Sequence, residues 1–154
     1  MSNIVVVEPQ DALRAWLCDK IKYVPTPNMT CIGLYSLDDK ELKWVVGYDG
    51  WSENSVEVHL AGSGYLNREF LYKGFAYPFI HGGVKVLVGR VSSANKKALR
   101  LNKHLGYREM CRIPNAAEDG DLVIMAMQRE ECRWLGLKGH KFKAVEKPHA
   151  QAGG

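Results

Sequence analysis

The stretch from residue 55 to residue 68, Ser-Val-Glu-Val-His-Leu-Ala-Gly-Ser-Gly-Tyr-Leu-Asn-Arg, constrains the fold more than any other part of this chain. Its first half alternates between an apolar side, made of Val56, Val58 and Leu60, and a second side, made of Glu57, His59 and Ala61. A period of two is typical of a half-buried β-strand. A strand with one face in a core is therefore predicted here.

A glycine-rich turn, Gly62-Ser63-Gly64, follows this strand, and a helix is predicted to begin at about Asn67. Such a strand, turn and helix start can bind an anionic phosphate, because free backbone N–H groups point out of the turn. Glu57 and His59 stand two residues apart on the strand, about 7 Å along its axis. Ligand-binding backbone and titratable side chains are therefore expected to converge at one strand end.

Two simpler interpretations of these residues stay open. The glycines can form only a turn, and Glu57 and His59 can be solvated side chains on an outer strand face. A dinucleotide fingerprint, G-x-G-x-x-G, fits less well. Asn67 stands at its third glycine, and no acidic residue follows about 20 positions later to hold a ribose.

Composition narrows the class of protein. The 154 residues suit one domain with its own core, and the net charge of +4 is too mild for a nucleic-acid surface. No apolar run reaches the roughly 20 residues of a membrane span, and no signal peptide is expected. The four cysteines are scattered without a C-x-x-C pair, which favours a reduced cytoplasmic protein without a metal site or disulfides.

Strands and helices alternate along the chain. Strands are predicted at residues 4–7, 30–36, 42–48, 55–61 and 84–88, helices at 11–24, 67–81 and 95–105, and a final hairpin at 107–113 and 121–127. Asp11 is expected to cap the first helix and Gly106 to end the third. The fold class is therefore α/β, a mixed (α+β) sheet with helices on both faces and an antiparallel meander in its centre, and not a doubly wound fold. Residues 1–137 form the domain, and residues 138–154 a basic polar tail.

Two segments together carry a family resemblance: the strand, glycine turn and helix over residues 56–75, and a run that begins at Asn95. The run from Asn95 through Ala98 to Leu105-Gly106-Tyr107 resembles the N-x-x-A/S…L-G-F/Y segment of the GNAT acyl-CoA N-acetyltransferase superfamily. The order of elements over about residues 3–130 is similar as well. Four further runs resemble the GNAT proteins that tailed phages and prophages encode; they lie at residues 68–71, 75–79, 120–121 and 131–135.

The resemblance implies acetyl-CoA as co-substrate, with its pantetheine arm in a gap between the Ser55 strand and the next parallel strand. The turn would hold the pyrophosphate, Asn95 would contact the arm, and Lys97 and Arg100, next to Lys96, would meet the adenosine phosphate. The implied cofactor-binding residues are Leu60, Gly62, Ser63, Gly64, Tyr65, Leu66, Asn67, Arg68, Asn95, Lys97 and Arg100.

Three departures from the family pattern bear on activity. The pyrophosphate loop is atypical, and Asn102 stands where many members place a tyrosine general acid. A single helix separates the first two strands where members often have two, which leaves the acceptor pocket open or completed by a partner, such as a second copy in a homodimer.

The implied function is transfer of an acetyl group from acetyl-CoA to a primary amine of a protein, peptide or small molecule. The amine attacks the thioester directly, with Glu57 or His59 as the base. No metal, nucleic acid or membrane takes part, and the place of action is the cytoplasm, that of the host if a phage encodes the chain. The alternative is a catalytically silent GNAT-fold binding protein, acting as a phage host-interaction factor or virion component.

Overall fold

The computed structural model describes residues 2–137, and within that range seven strands form one mixed sheet in the order β1-β2-β3-β4-β5-β7-β6. The strands are β1 (Asn3–Val6), β2 (Thr30–Ser36), β3 (Glu41–Asp49), β4 (Ser55–Gly62), β5 (Val86–Ser92), β6 (Arg108–Ala117) and β7 (Gly120–Gln128). The helices are α1 (Gln10–Ile21), α2 (Arg68–Ala76) and α3 (Lys96–Leu105). The predicted fold class is confirmed, while the predicted tail at 138–154 lies outside the described residues.

The sheet changes direction at its centre. Strands β1 to β4 pair antiparallel, as do β5, β7 and β6, whereas β4 and β5 pair parallel. The parallel ladder is short: it joins Ser55 to Val86, Val56 to Leu87 and Glu57 to Val88, and then stops. Both strands continue for several residues beyond it. A gap therefore opens between them, with unpaired backbone on its walls.

Helices cover both faces of the sheet. Leu13 and Leu17 of α1 are buried in one apolar cluster with β2 and β3 side chains. Phe70 of α2 and Leu99 of α3 belong to a second, larger cluster, which includes Val56, Leu87 and Met125 of the sheet. Since side chains alternate along a strand, the apolar side of β4 belongs to the second cluster, and Glu57 and His59 face α1.

Two predicted helix starts are confirmed in atomic detail. The Asn67 side chain accepts a hydrogen bond from the Phe70 N–H at 2.8 Å, and the Asn95 side chain accepts one from the Ala98 N–H at 3.1 Å. Both are the side-chain caps that satisfy unpaired N–H groups in a first helical turn. Gly106 ends α3 with φ at 117°, a conformation that favours glycine.

The predicted cap at Asp11 is wrong. Helix α1 begins at Gln10 after an extended Pro9, and no side chain caps it. Asp11 lies inside the first turn, 3.5 Å from Arg14. Gln10 instead bonds to β2, accepting from the Cys31 N–H at 2.9 Å and donating to the Cys31 carbonyl at 2.8 Å. A contact distant in sequence thus holds the helix start where a local cap was expected.

The predicted bounds of β5 are also wrong. The strand runs from Val86 to Ser92, not from residue 84 to residue 88. Pairing with β7, from Val86 opposite Gln128 to Ser92 opposite Leu122, carries it through Gly89 and Arg90. Local apolarity ends at Val88, but the partner strand supplies backbone hydrogen bonds well beyond that point.

Pro78 interrupts the regular end of α2. The chain continues as a π-helix over Tyr77–His81, and Pro78 has no N–H to donate to the Gly74 carbonyl. The buried Tyr48 hydroxyl donates to that carbonyl instead. The sheet therefore satisfies the acceptor that the proline leaves free.

The segment after β7 closes over the helices. Arg133–Gly136 forms a short 3₁₀ turn in which the Trp134 ring stacks on Phe75 with centroids 6.4 Å apart. The Trp134 indole N–H donates to the Leu105 carbonyl at 2.7 Å, and the Arg133 guanidinium donates to the His104 carbonyl at 2.6 Å. These donors satisfy terminal carbonyls of α3. The run from Glu131 to Trp134, within one of the segments that resemble phage proteins, therefore has a packing role.

Candidate active site

A cavity of about 610 Å³ occupies the gap between β4 and β5. Tyr23, His59 and Arg90 line it on the α1 side, and Gly74 and Leu101 are among the residues that line it on the side of α2 and α3. Because it reaches both faces of the sheet, two molecules can enter from opposite sides and meet between the strands. Apolar walls with few polar groups are typical of a ligand site.

His59 is the polar side chain that is best placed in this gap. Its side chain is 10% exposed, and its Nε2 lies 3.5 Å from Glu57 Oε1 without a well-aligned hydrogen bond. Burial lowers the pKa of His59, although the negative charge of Glu57 acts in the opposite direction. The imidazole is therefore neutral at neutral pH, and such a nitrogen can accept a proton.

Glu57 lies between two positive or potentially positive groups. Its Oε1 contacts His59, and its Oε2 lies 3.8 Å from Nη1 of Arg90. The Glu57 side chain is 30% exposed. The carboxylate can therefore stabilise a protonated His59.

Tyr23 joins the site through a contact that the sequence does not indicate. Its ring lies 4.3 Å from the His59 ring, and its hydroxyl donates to the buried Asp49 at 2.8 Å. Asp49 also accepts hydrogen bonds from the Thr26 N–H and the Thr26 hydroxyl. From the sequence, Asp49-Gly50 predicts only the turn that follows β3. Its role as an anchor depends on how residues 22–28 fold back onto β3, which the local sequence does not predict.

The predicted cofactor residues separate into two groups. Leu60, Leu66 and Asn95 line the cavity. The others lie outside its lining: Gly62, Ser63, Gly64, Tyr65, Asn67, Arg68, Lys97 and Arg100. The predicted catalytic pair is brought together at the α1 side, where His59 lines the cavity and Glu57 contacts His59.

The glycine turn packs against β3. A Cβ on Gly62 would stand 2.3 Å from the Lys43 carbonyl oxygen and 2.4 Å from the Trp44 ring. The Ser63 N–H donates to the Lys43 carbonyl at 3.0 Å, and the Gly64 carbonyl accepts from the Trp44 indole at 3.2 Å. One turn N–H is therefore already paired, and glycine is needed at position 62 for close packing.

No tyrosine on the described cavity walls is poised to donate a proton. Asn102 lines the cavity, with its Nδ2 3.8 Å from the sulfur of Met125. Tyr23 and Tyr107 are the tyrosines of the lining within residues 2–137. Burial raises the pKa of both hydroxyls, and for Tyr23 the hydrogen bond to Asp49 raises it further. Each hydroxyl therefore holds its proton tightly.

Residues 2–137 contain no group of side chains suited to a metal ion and no helix suited to a membrane span. No three His, Cys, Asp or Glu side chains of that range are grouped to hold a metal ion. Cys18, Cys31, Cys111 and Cys132 are all free thiols. Within the same range, every helix is too short or too polar to cross a membrane.

No protein-family model and no curated protein sequence matches the chain. Solved structures of spermidine N-acetyltransferase SpeG from Vibrio cholerae do match. One point mutant of that enzyme superposes with a TM-score of 0.68 at 13% identity, over 86% of this chain and 98% of the other. Mutant forms described as a spermidine/spermine N-acetyltransferase give a TM-score of 0.65 at 13% identity, over 84% and 96%.

A third similar structure is a dodecameric form of the Vibrio cholerae enzyme, with a TM-score of 0.65 at 12% identity over 83% and 94%. The SpeG enzymes are members of the GNAT superfamily. At such low identity, structural similarity shows the fold alone. The splayed parallel strands, the strand order and this similarity together establish that the chain has the GNAT fold.

Proposed function

We propose that this protein transfers an acetyl group from acetyl-CoA to a primary amine. The single observation that carries the proposal is the position of His59, a buried neutral base on the wall of the gap between β4 and β5. The GNAT fold of the N-acetyltransferases it resembles supports the same chemistry. Transfer by direct attack requires only that the two substrates meet beside a base.

The cofactor would enter from the side of α2 and α3. Its pantetheine arm would pair with the backbone that β4 and β5 leave unpaired beyond Glu57 and Val88. The Leu60 N–H would polarise the thioester carbonyl, and the Asn95 amide would contact the arm. The turn and the start of α2 would bind the pyrophosphate, since the N–H groups of a first helical turn and the helix dipole attract anions.

The amine would enter from the α1 side. Its nitrogen attacks the thioester carbon, the carbon–sulfur bond breaks, and coenzyme A leaves as the thiolate. His59 would take the proton from the amine, and Glu57 would stabilise the resulting imidazolium. The thiolate would be protonated by water, because neither cavity tyrosine gives up its proton readily.

The second candidate is a GNAT-fold binding protein without turnover. The observations that favour it are Asn102 at the usual tyrosine position and the Ser63 N–H, which is already paired with Lys43. Because several runs of the sequence resemble phage and prophage proteins, such a binding protein would act as a host-interaction factor or a virion component. A second copy of the chain, as in a homodimer, would complete the acceptor wall in either case.

A combined binding and turnover assay tests the proposal. Acetyl-CoA should raise the melting temperature by mass action, NADH should not, and free thiol should appear when a pool of amines is added. Binding without thiol release from any amine or host lysate would favour the silent protein. A melting curve that acetyl-CoA leaves unmoved would show the cofactor assignment to be wrong.

A further inference from the structure

The α1 end of the cavity is cationic. Lys20, Lys22 and Arg90 line it, and no aspartate or glutamate of residues 2–137 belongs to the lining. Two carboxylates stand close to these cations: Glu57, which is already in contact with both His59 and Arg90, and the buried Asp49, which accepts hydrogen bonds from Tyr23 and Thr26. A substrate that approaches His59 from this side therefore meets positive charge that the protein only partly neutralises.

Arg90 is the cation best placed to bind a substrate. Its side chain is 49% exposed, and the long contact to Glu57 is the one polar contact that the described part of the chain gives it. A guanidinium has five N–H donors in a planar fork that matches a carboxylate or a phosphate. Most of that donor capacity is therefore available to a molecule in the cavity.

Arg90 and His59 are close enough to act on one small molecule. Both contact the same Glu57 carboxylate, and both line the cavity on its α1 side. An amine held in the cavity beside the His59 ring would place a nearby substituent next to the guanidinium. Lys20 is less available, because its ammonium lies over the Trp16 ring at 4.8 Å from the centroid.

We propose that the acceptor is a small primary amine that carries a carboxylate or phosphate, with Arg90 binding the anionic group. This inference rests on the proposed acetyl transfer and names its substrate class. A polyamine, the acceptor in the names of the similar SpeG enzymes, would bring additional positive charge to a face that already has three cations and no free carboxylate.

Matched amine pairs test this assignment. β-Alanine and β-alaninamide share one amine and differ in the carboxylate, and phosphoethanolamine and ethanolamine differ in the phosphate. In each pair we expect the anionic member to have the higher kcat/KM, by about tenfold or more, and spermidine to be a poor acceptor. The pair with the larger ratio identifies which of the two anions the site prefers.

Variants of Arg90 test whether this residue causes the preference for anionic amines. Arg90→Gln should remove the preference for the anionic member by raising its KM, while the Kd of acetyl-CoA stays unchanged, and Arg90→Lys should keep part of it. Lys73→Gln is the matched control, because it removes one positive charge from the exposed face of α2, outside the cavity lining. It should leave the preference intact.

Three results would overturn the assignment of an anionic acceptor. The neutral member of each pair could be acetylated as well as the anionic member, spermidine could be the best acceptor, or Arg90→Gln could lower kcat/KM equally for both members of a pair. If no amine is acetylated, the proposed function is wrong. Binding of the amines then tests whether Arg90 recognises an anionic group. With CoA present, the anionic amines should raise the melting temperature more than their neutral partners in the parent but not in Arg90→Gln. Equal shifts in the parent would overturn the inference independently of turnover.

Discussion

Nε2 of His59 lies 3.5 Å from Oε1 of Glu57, on the wall of the gap between the splayed strands. The pair stands two residues apart on β4, on the side that faces α1. Burial lowers the pKa of the imidazole, and the carboxylate limits that decrease by favouring the charged form. The two side chains therefore have separable effects on a pH–rate profile.

His59 is predicted to set the acidic limb of the pH–rate profile. Since the pKa of His59 lies below its ordinary value of 6.5, the base is neutral at neutral pH, and the rate should fall only as the pH drops below 6.5. His59→Ala should lower turnover by about a hundredfold and remove that limb, with little change in acetyl-CoA affinity.

Glu57→Gln distinguishes the two candidate bases. If His59 is the base, loss of the neighbouring carboxylate lowers the pKa of His59 further and moves the acidic limb to lower pH, with much of the rate retained. If Glu57 is the base, the variant loses both the rate and the limb. Parent-like profiles for both variants would leave neither residue as the base.

Gly89 offers a way to close the gap without unfolding the protein. It lines the cavity, and a Cβ at this position would meet no heavy atom within 4 Å. Gly89→Val should weaken acetyl-CoA binding by about tenfold or more, because the side chain would occupy the space of the pantetheine arm, while the melting temperature should stay nearly constant. Calorimetric titration with acetyl-CoA measures the effect.

Gly136→Val is the matched control for this experiment. Gly136 also has nothing within 4 Å of a built Cβ, but it lies in the 3₁₀ turn outside the cavity lining. Its substitution should leave acetyl-CoA binding unchanged. Equal losses in the two variants, or none in Gly89→Val, would place the cofactor elsewhere.

Asp49 is predicted to stabilise the segment that carries Tyr23. Burial raises the pKa of Asp49, but the hydrogen bonds from Thr26, Tyr23 and the Gly50 N–H together hold it below its usual value of 3.8. Asp49→Asn should lower the free energy of unfolding by about 2 kcal/mol at neutral pH, because hydrogen bonds to a charged group are lost.

The pH dependence of this effect has a defined sign. A carboxylate with a depressed pKa contributes stability above about pH 3.9, its unfolded value, and that contribution is lost as the pH falls through the folded pKa. In urea unfolding, the difference between the parent and Asp49→Asn should therefore be largest at pH 7 and should shrink as the pH falls below about 3.9. A difference that does not depend on pH would show that the charge on Asp49 contributes nothing.

Trp134 is predicted to hold the end of α3. Trp134→Ala removes both the stacking on Phe75 and the hydrogen bond to the Leu105 carbonyl, and should lower the free energy of unfolding by about 3 kcal/mol. Trp134→Phe keeps the ring and loses only the N–H, so about 1 kcal/mol is expected. Chemical denaturation measures both. Losses of the same size would show that the hydrogen bond alone matters.

Lys97 and Arg100 test the proposed adenosine-phosphate contact. If they meet that phosphate, changing both to Ala should weaken CoA binding more than dephospho-CoA binding. The expected difference is about 1 kcal/mol, decreasing with salt, because the contact would be exposed. Titrations of both ligands at two salt concentrations measure it. Equal losses for the two ligands would mean that the helix face is merely solvated.

Local chemistry in the sequence determined much of this protein. Alternation over residues 55–61 is sufficient to predict β4, and Asn67, Asn95 and Gly106 carry the caps that begin and end helices. The motif around Asn95 and the order of elements indicate the GNAT fold. The strand, cap and turn signals from which that order is predicted can be identified in the sequence, because each depends on residues close together in the chain.

Only the tertiary structure decided the extent of β5, the start of α1 and the contents of the site. Pairing with β7 extends β5 to Ser92, and Gln10 anchors α1 through a hydrogen-bonded contact with Cys31. Tyr23 meets His59, Asp49 anchors Tyr23, and Arg90 contacts Glu57. No periodicity encodes the chain paths that bring these residues together, because long-range packing selects among turns that are locally equivalent. The sequence alone determined which residues can do the chemistry, and the folding of distant strands onto one another determined which of them meet.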